Sequence, residues 1–307
     1  MHALRAHTRG GPEVLVYEQA PTPMIGHGEI LVAVHAAAIT FAELSWQETW
    51  TRGGIDRTPI IPSHEFSGRV AEIGSAVTRF GVGDEVYGVV PFDRDGAAAD
   101  YVAVPADQTA ARPTSLTDVE AAALPLPALT AQQALFDHAH LAGGERVLVL
   151  GGAGGVGGYA VQLAAAAGAD VTATTVGAVD YVEKLGAHQV IDVRNDDFSA
   201  RTREFDVVID TVSGDTLDRS YDLLRRGGRL VTLQTPPDQQ RAAELGITAI
   251  FFVVTTDTAA LTNLAALADS GALTVTIAAT FPVSDGRAAY ASGAQSGRRP
   301  GKTVLTV

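Results

Sequence analysis

Glycines recur at short intervals in the segment 151–158 of the chain. In the pattern they form, one glycine permits a tight turn, a second lets the backbone approach a phosphate, and a third allows a helix to pack closely. The chemistry indicated is the binding of an anionic pyrophosphate group. Two overlapping versions of the pattern are present, G-x-G-x-x-G (Gly152, Gly154, Gly157) and G-x-x-G-x-x-G (Gly151, Gly154, Gly157).

The setting of these glycines matters, because a chain with 32 glycines produces accidental matches. The apolar run 146–150 precedes them, and the alanine-rich stretch 159–167 follows and ends at Gly168. This strand–turn–helix context is the one that the dinucleotide fingerprint requires, and a helix N-terminus offers free N–H groups to phosphate. A turn that serves packing alone is the alternative. The predicted cofactor-binding residues here are Gly152, Ala153, Gly154, Gly155, Val156 and Gly157.

The choice between NADH and NADPH depends on the end of the next strand, about 20 residues further on. NADH binding favours an acidic residue there, but this chain reads Ala173-Thr174-Thr175-Val176-Gly177, without a carboxylate. We therefore predict NADPH as the cofactor, with contacts from Thr174 and Thr175. The turn also lacks an Arg or Lys to pair with the 2′-phosphate.

The elements that must position the glycine turn follow from apolar patterning. Most of the runs after residue 146 are continuously apolar, as expected for strands that are covered on both faces of a parallel sheet. Alternation of strands and helices at this spacing predicts a doubly wound sheet. The predicted strands are Arg146–Leu150, Asp170–Thr174, Gln189–Val193, Phe205–Val212, Gly228–Leu233 and Ile247–Val254.

The two ends of the chain have a different character. Short strand-like runs separated by Gly, Pro and Asp fill the first hundred residues and predict a partly closed sheet. The segment 117–120 is typical of a capping box that opens a helix. After a further helical stretch, strand-like 273–278 and 303–307 must pack somewhere, and we expect them to return to the first domain. The prediction is one discontinuous domain, 1–117 with 265–307, and a second domain, 118–264.

Composition excludes several classes of protein. Hydrophobic residues make up 46% and charged residues 19% of the 307 residues, so the chain is not a disordered one. A net charge of −13 disfavours a nucleic-acid partner. No apolar run reaches the ~18 residues of a membrane helix and no secretory signal pattern opens the chain, so we predict a cytoplasmic protein without a membrane partner. The absence of cysteine excludes disulfides and thiolate ligands.

Several segments occur together in the order found in one family. They resemble the zinc-independent quinone oxidoreductases of the medium-chain dehydrogenase/reductase superfamily, from Leu4 nearly to Val307. No single segment is specific, whereas the joint match is. The segments are 59–68, 83–88, 97–102, 121–135, the glycine turn, 185–187 and 301–304.

The resemblance implies an α/β protein with a GroES-like, β-rich substrate domain and a Rossmann domain with a doubly wound parallel sheet. It also implies NADPH-dependent, zinc-free reduction of a quinone or an activated alkene in the cleft between the domains. Thr130 resembles the family threonine near the phosphates and the nicotinamide. Two alternatives stay open, an enoyl reductase of a biosynthetic pathway and a non-catalytic NADPH-binding protein. Further predicted cofactor contacts are Thr211, Leu233, Gln234, Phe251, Phe252 and Val253.

The candidate substrate pocket lies in the first domain. The family commonly has an Asn-Pro-x-Asp-like segment where this chain reads Thr40-Phe41-Ala42-Glu43, so the polar contact of that Asn must come from Thr40 or be lost. Trp46 and Phe41 are aromatic candidates that could equally belong to the core. The residues that we predict as catalytic candidates are Thr40, Glu43 and His64.

His64-Glu65 resembles the Gly-His-Glu segment whose histidine binds zinc in the alcohol-dehydrogenase branch. Such a site needs about three protein ligands, commonly with cysteine among them. Because the chain has no cysteine, we predict no metal and interpret His64 as a hydrogen-bonding residue of the cleft or core.

The apolar run Ile247–Val254 is the last predicted strand of the parallel sheet. A final strand lies at a sheet edge, where unpaired N–H and C=O groups invite another chain. We predict a homodimer in which this strand pairs with its own copy. Burial under the chain's own terminal helix is the alternative.

Overall fold

Strands dominate the first third of the chain and alternate with helices in its middle, in a computed structural model that describes residues 1–200 and 203–307. The strands are β1 (His2–Ala6), β2 (Leu15–Gln19), β3 (Glu29–Ile39), β4 (Thr51–Arg52), β5 (Ile55–Asp56), β6 (Glu65–Ile73), β7 (Glu85–Val89), β8 (Tyr101–Pro105), β9 (Thr109–Ala111), β10 (Arg146–Leu150), β11 (Asp170–Thr175), β12 (Gln189–Asp192), β13 (Phe205–Asp210), β14 (Leu224–Thr232), β15 (Thr248–Phe251), β16 (Ile277–Pro282) and β17 (Lys302–Thr306). The α-helices are α1 (Gln47–Trp50), α2 (Asp118–Ala122), α3 (Pro125–Gln132), α4 (Gly155–Ala166), α5 (Val179–Lys184), α6 (Asp215–Ser220), α7 (Gln239–Leu245), α8 (Thr258–Asp269) and α9 (Gly286–Ala291).

Single helical turns connect several of these elements. A π-helical turn, Gln133–His138, continues α3. The 3₁₀ turns are Pro12–Val14, Glu43–Ser45, Ala106–Gln108, Phe198–Ala200, Tyr221–Leu223, Val283–Asp285 and Ser292–Ala294.

Contacts divide the chain into two units. The first comprises Met1–Leu126 and Thr256–Val307, and the second comprises Pro127–Thr255. The sequence placed the boundaries at 117/118, directly before α2, and at 264/265, inside α8, and both helices belong to the first unit. Helix α2 is tied to β6 by a hydrogen bond from the Ser67 hydroxyl to Asp118, and α8 accepts a bond from the Tyr87 hydroxyl at the Leu261 carbonyl.

The first unit is built on one mixed sheet. Its strands lie in the order β16-β17-β3-β6-β7-β9, with β8 paired to β3. The C-terminal strand β17 runs antiparallel to β3, which brings both ends of the chain into this unit. The predicted capping box of α2 is present at Thr117 and Glu120. The predicted strand 273–278 is wrong in position, because β16 begins at Ile277 and pairs with β17 from there.

The second unit is a parallel sheet with the order β12-β11-β10-β13-β14-β15. Strands β10 and β13 are almost wholly buried, which explains their continuously apolar sequences. The chain goes to one side of β10 for β11 and to the other side for β13, so the strand order reverses there. Ligands bind outside the carboxyl ends of the strands at such a switch point. The predicted doubly wound parallel sheet is confirmed.

Strand β15 is an edge strand, as predicted, but it is shorter than the predicted 247–254. Pairing with β14 ends at Phe251. Thr255 then exchanges two hydrogen bonds with the side chain of Gln133, which draw the chain away from the sheet. Phe252 packs on the ring of His138, with centroids 4.2 Å apart.

Across the described residues, every helix is too short or too polar to span a membrane.

Candidate cofactor and substrate sites

The glycine turn is a tight loop between β10 and α4. Gly151 has a φ of 82°, a conformation that favours glycine. A Cβ on Gly157 would lie 2.1 Å from the Gly151 carbonyl oxygen, so only glycine lets the helix approach the strand this closely. The Gly154 N–H closes the turn by donating to the Gly151 carbonyl at 2.9 Å. The first and last glycines therefore shape the loop.

The central glycine faces open space. Gly154 is exposed, and a Cβ built on it would meet only the Gly151 carbonyl oxygen, at 3.2 Å, among the described residues beyond its neighbours and its own helix. Gly154 is also the N-cap of α4 and offers no side chain to the N–H groups of the first turn. Unpaired N–H groups beside a space that a side chain would fill fit a pyrophosphate. Within the predicted set, Gly152 and Gly157 are buried, whereas Ala153, Gly154, Gly155 and Val156 are accessible.

The end of β11 lies against this loop. Thr174 accepts hydrogen bonds from Gly151 N at its hydroxyl, 3.0 Å, and from Gly152 N at its carbonyl. Its hydroxyl therefore holds the glycine turn in place. The Thr175 hydroxyl is buried and has no hydrogen-bond partner within the described parts of the chain.

The remaining predicted cofactor residues of this unit lie on several elements. Thr211 donates to the Leu150 carbonyl at 2.7 Å, which joins the ends of β13 and β10 beside Gly151. Leu233 follows β14 and its N–H donates to the Asp210 carbonyl. Gln234 is exposed, and Thr130 is half-buried on α3. Phe251 and Val253 are exposed and Phe252 is half-buried at the end of β15.

In the first unit, Glu43 lies at the centre of a buried polar cluster. Its carboxylate accepts the Tyr290 hydroxyl at 2.5 Å, the Ser63 N–H at 3.0 Å and the Thr40 N–H at 3.3 Å. Only 1% of Glu43 is exposed. Glu43 is therefore hydrogen-bonded by buried neighbours and shielded from bulk solvent, and its role as a catalytic residue stays a prediction.

A second buried carboxylate lies next to it. Lys302 donates to Glu65 at 2.5 Å and contacts the Thr40 hydroxyl at 3.2 Å. The other carboxylate oxygen of Glu65 is buried without a hydrogen-bond partner in the residues described. Thr40 thus touches both carboxylates, since its N–H donates to Glu43 and its hydroxyl lies 3.5 Å from Glu65.

Burial sets the protonation of this cluster. Burial raises the pKa of Glu43 to about 7, and the hydrogen bond from Tyr290 acts in the opposite direction and lowers it. Burial also raises the pKa of Glu65 and, with the charge of Glu43 beside it, the pKa of Tyr290. A buried carboxyl that titrates near neutrality can store and release a proton within the cluster.

His64 is packed in an aromatic environment. Its ring lies 5.2 Å from the ring of Phe92 and 6.5 Å from that of Trp46. Its Nε2 is 3.7 Å from the Glu43 carboxylate, and neither ring nitrogen has a hydrogen-bond partner among the described residues. Burial lowers the pKa of His64 to about 3, so the ring is neutral. Its burial places His64 in the core, and its role as a hydrogen-bonding residue stays a prediction.

These residues do not fit a catalytic zinc ion. The chain has no cysteine, Glu65 is engaged by Lys302, and Glu43 by Tyr290 and two N–H groups. The one group of three candidate ligands in the described residues is His35, Glu85 and Asp118.

That second group is not built for a metal either. Arg69 donates to Glu85, and Arg112 lies 3.5 Å from Asp118. The Ser67 hydroxyl bonds to the same carboxylate of Asp118. Cationic side chains already neutralise both carboxylates.

Three residues of the buried polar cluster around Glu43 were not predicted from the sequence: Glu65, Tyr290 and Lys302. For each of the two charged residues, Glu65 and Lys302, the sequence contains one feature that points to burial. Glu65 is a carboxylate inside the largely apolar segment 59–68, and Lys302 directly precedes the apolar end of the chain. Neither feature indicates which residue forms an ion pair with it.

Comparison with known proteins agrees with this architecture. Residues 26–114 match the family of the alcohol dehydrogenase GroES-like domain, and residues 185–305 match a zinc-binding dehydrogenase family. The NAD(P)H oxidoreductase RTN4IP1 of Homo sapiens mitochondria is 32% identical over 97% of this chain and 87% of its own length. The 2-methylene-furan-3-one reductase of Solanum lycopersicum is 32% identical over 96% of this chain and 76% of its own length. A quinone oxidoreductase from Coxiella burnetii superposes with a TM-score of 0.93 at 30% identity, covering 100% of this chain and 99% of that structure.

The chain belongs to the medium-chain dehydrogenase/reductase superfamily. Within it, the chain is a quinone-oxidoreductase-like oxidoreductase, and several of its relatives are named NAD(P)H oxidoreductases. The GroES-like and Rossmann-type character of the two units is confirmed.

Proposed function

We propose that this protein is an NADPH-dependent, zinc-free oxidoreductase that reduces a quinone or an activated alkene. The observation that carries the proposal is the open space at Gly154, at the N-terminus of α4. When bound, the nicotinamide supplies a hydride. Ala153, Gly154, Gly155 and Val156 would hold the pyrophosphate through backbone N–H groups.

The substrate class is supported by the chemistry of the first unit. Trp46 and Phe92 form an edge-to-face pair, with centroids 5.4 Å apart, and both are half-buried. Such faces suit a flat, conjugated acceptor. Thr40 is the half-buried polar residue that contacts both buried carboxylates, and we assign it the role of orienting the substrate. The relative named 2-methylene-furan-3-one reductase supports an activated alkene as well as a quinone.

Steady-state oxidation of NADPH by 1,4-benzoquinone tests the proposal. After dialysis against a strong chelator, we expect an undiminished rate, far less than one zinc per chain by elemental analysis, and a higher kcat/KM with NADPH than with NADH. Turnover that needs stoichiometric zinc would contradict the zinc-free part, and a preference for NADH would contradict the cofactor assignment.

The same assay separates the alternatives. Reduction of enoyl thioesters in strong preference to quinones and enones would identify an enoyl reductase. Tight NADPH binding without turnover of any of these acceptors would identify a non-catalytic NADPH-binding protein. The cytoplasmic location remains a prediction of the sequence.

We also propose a homodimer formed by the edge strand β15. Phe251 at the end of β15 exposes 38% of its surface and Val253, two residues further on, exposes 59%. In the described sheet β15 has no strand on its outer side. Pairing of two such edges about a two-fold axis would satisfy both.

Light scattering coupled to gel filtration should give twice the 31.8-kDa chain mass at micromolar concentration. Val253→Lys should shift the protein towards the monomer, because it would place a charge two residues beyond β15, next to the proposed contact. Val82→Lys, at a similarly exposed valine in the first unit, is the control and should remain dimeric. A monomeric wild type would refute the proposal.

A further inference from the structure

The end of β12 brings a cation to the turn that follows β11. The two strands are parallel neighbours with Thr175 opposite Asp192. Past their ends, Val193 N donates to the Thr175 carbonyl at 3.0 Å, and Gly177 N donates to Asp192 at 3.3 Å. A Cβ on Gly177 would lie only 2.6 Å from the central carbon of the Arg194 guanidinium. The guanidinium therefore lies directly on the turn in which the sequence shows no basic residue.

Asp192 fixes the direction of this side chain. The Arg194 Nε donates to both carboxylate oxygens, at 3.0 and 3.1 Å, and Nη2 donates to one of them at 2.5 Å. These bonds hold the pKa of Asp192 at about 2, so the carboxylate stays ionised at any working pH. The Asp192 side chain is 9% exposed, whereas that of Arg194 is 58% exposed. A buried anion thus anchors an accessible cation.

One edge of the guanidinium is left for another ligand. Nη1 of Arg194 has no hydrogen-bond acceptor among residues 1–200 and 203–307. Arginine presents planar, diverging N–H groups that match phosphate oxygens, and such charge-assisted bonds are among the strongest in proteins. In dinucleotide-binding folds the adenosine ribose lies at the end of the second strand, which here is β11.

We infer that Arg194 recognises the 2′-phosphate of NADPH and is the residue that sets the preference for NADPH over NADH. The inference rests on the proposed function, because it presumes that a nicotinamide dinucleotide occupies the glycine turn. Asp192 is a positioning residue: it holds the guanidinium against Gly177 through Nε and Nη2 and leaves Nη1 without an acceptor in the described parts of the chain.

The test is equilibrium binding of NADPH and NADH to the full chain, followed by the fluorescence of the reduced nicotinamide. Arg194→Gln should weaken NADPH binding about tenfold or more and leave NADH binding within about twofold. The selectivity between the cofactors should fall by the same factor. Competition by adenosine 2′,5′-bisphosphate against bound NADPH should weaken likewise.

Arg225→Gln is a matched control. The Arg225 side chain is also 58% exposed and pairs with an aspartate, Asp206, whose side chain is 7% exposed. It lies at the start of β14, at the amino edge of the same sheet, away from the turn. This variant should bind both cofactors as the wild type does.

The possible outcomes distinguish a failure of this inference from a failure of the proposed function. If the wild type binds neither cofactor, the proposed function fails. If both bind and Arg194→Gln weakens both equally or neither, Arg194 does not read the 2′-phosphate and the proposed function stands. If Arg194→Gln melts at a lower temperature than the control, Arg194→Lys is used in its place. Lysine keeps the positive charge but lacks the planar, bidentate donor groups of the guanidinium, so this variant should retain part of the selectivity.

Discussion

Gly154→Val is expected to reduce the affinity for NADPH by about a hundredfold or more, while the protein keeps its fold. The backbone of Gly154 has φ −77° and ψ 174°, an extended conformation that valine adopts readily. Its Cβ would make one contact, 3.2 Å from the Gly151 carbonyl oxygen, which requires a shift of a few tenths of an ångström. The two methyl groups, however, would fill the space that the pyrophosphate needs.

Fluorescence titration with NADPH measures the loss, and thermal unfolding checks the fold. Gly28→Val is the control, because a Cβ there meets nothing within 4 Å in the described chain. It should change neither quantity. Wild-type affinity in Gly154→Val would show that the glycine turn is not the pyrophosphate site.

The glycine turn could be predicted because its determinants are local. A buried strand, a tight turn and a helix that begins at once are encoded within about twenty residues, and the structure needs glycine at Gly151 and Gly157 for reasons that the spacing already indicates. The apolar character of β10 and β13 likewise predicted the parallel sheet. Where the determinants were long-range contacts, as at the end of β15, the predicted bounds were wrong.

The buried carboxylates could not be predicted in this way. Tyr290 is 247 residues from Glu43 in the chain, and Lys302 is 237 residues from Glu65. Lys302 reaches Glu65 because β17 pairs with β3, and the register of that pairing cannot be derived from the sequence. Tyr290 lies on α9, whose packing against the first unit is equally long-range. Arg194 could not be predicted for a related reason: the turn after β11 contains no basic residue of its own, and the cation comes from the end of its parallel neighbour β12.

The Glu43 cluster predicts how stability depends on pH. The pKa of Glu43 is raised from 4.5 to about 7 in the folded protein, so the folded state holds its proton more tightly than the unfolded state does. The stabilisation is fully present below the unfolded pKa and is lost as pH rises through the folded pKa. Between about pH 5 and pH 8 this group should lower the free energy of unfolding by roughly 2–3 kcal/mol.

Glu43→Gln removes the titration and should flatten the pH dependence of unfolding by that amount, even if the amide changes the stability at every pH. Urea unfolding at about pH 5 and about pH 8 measures the difference for the wild type and the variant. Glu48→Gln, at an exposed carboxylate in the following helix α1, should leave the wild-type slope unchanged. If Glu43→Gln loses as much stability between the two pH values as the wild type does, the carboxyl does not titrate in this range. The cluster would then hold its charges fixed, and Glu43 could not serve as a proton store beside Thr40.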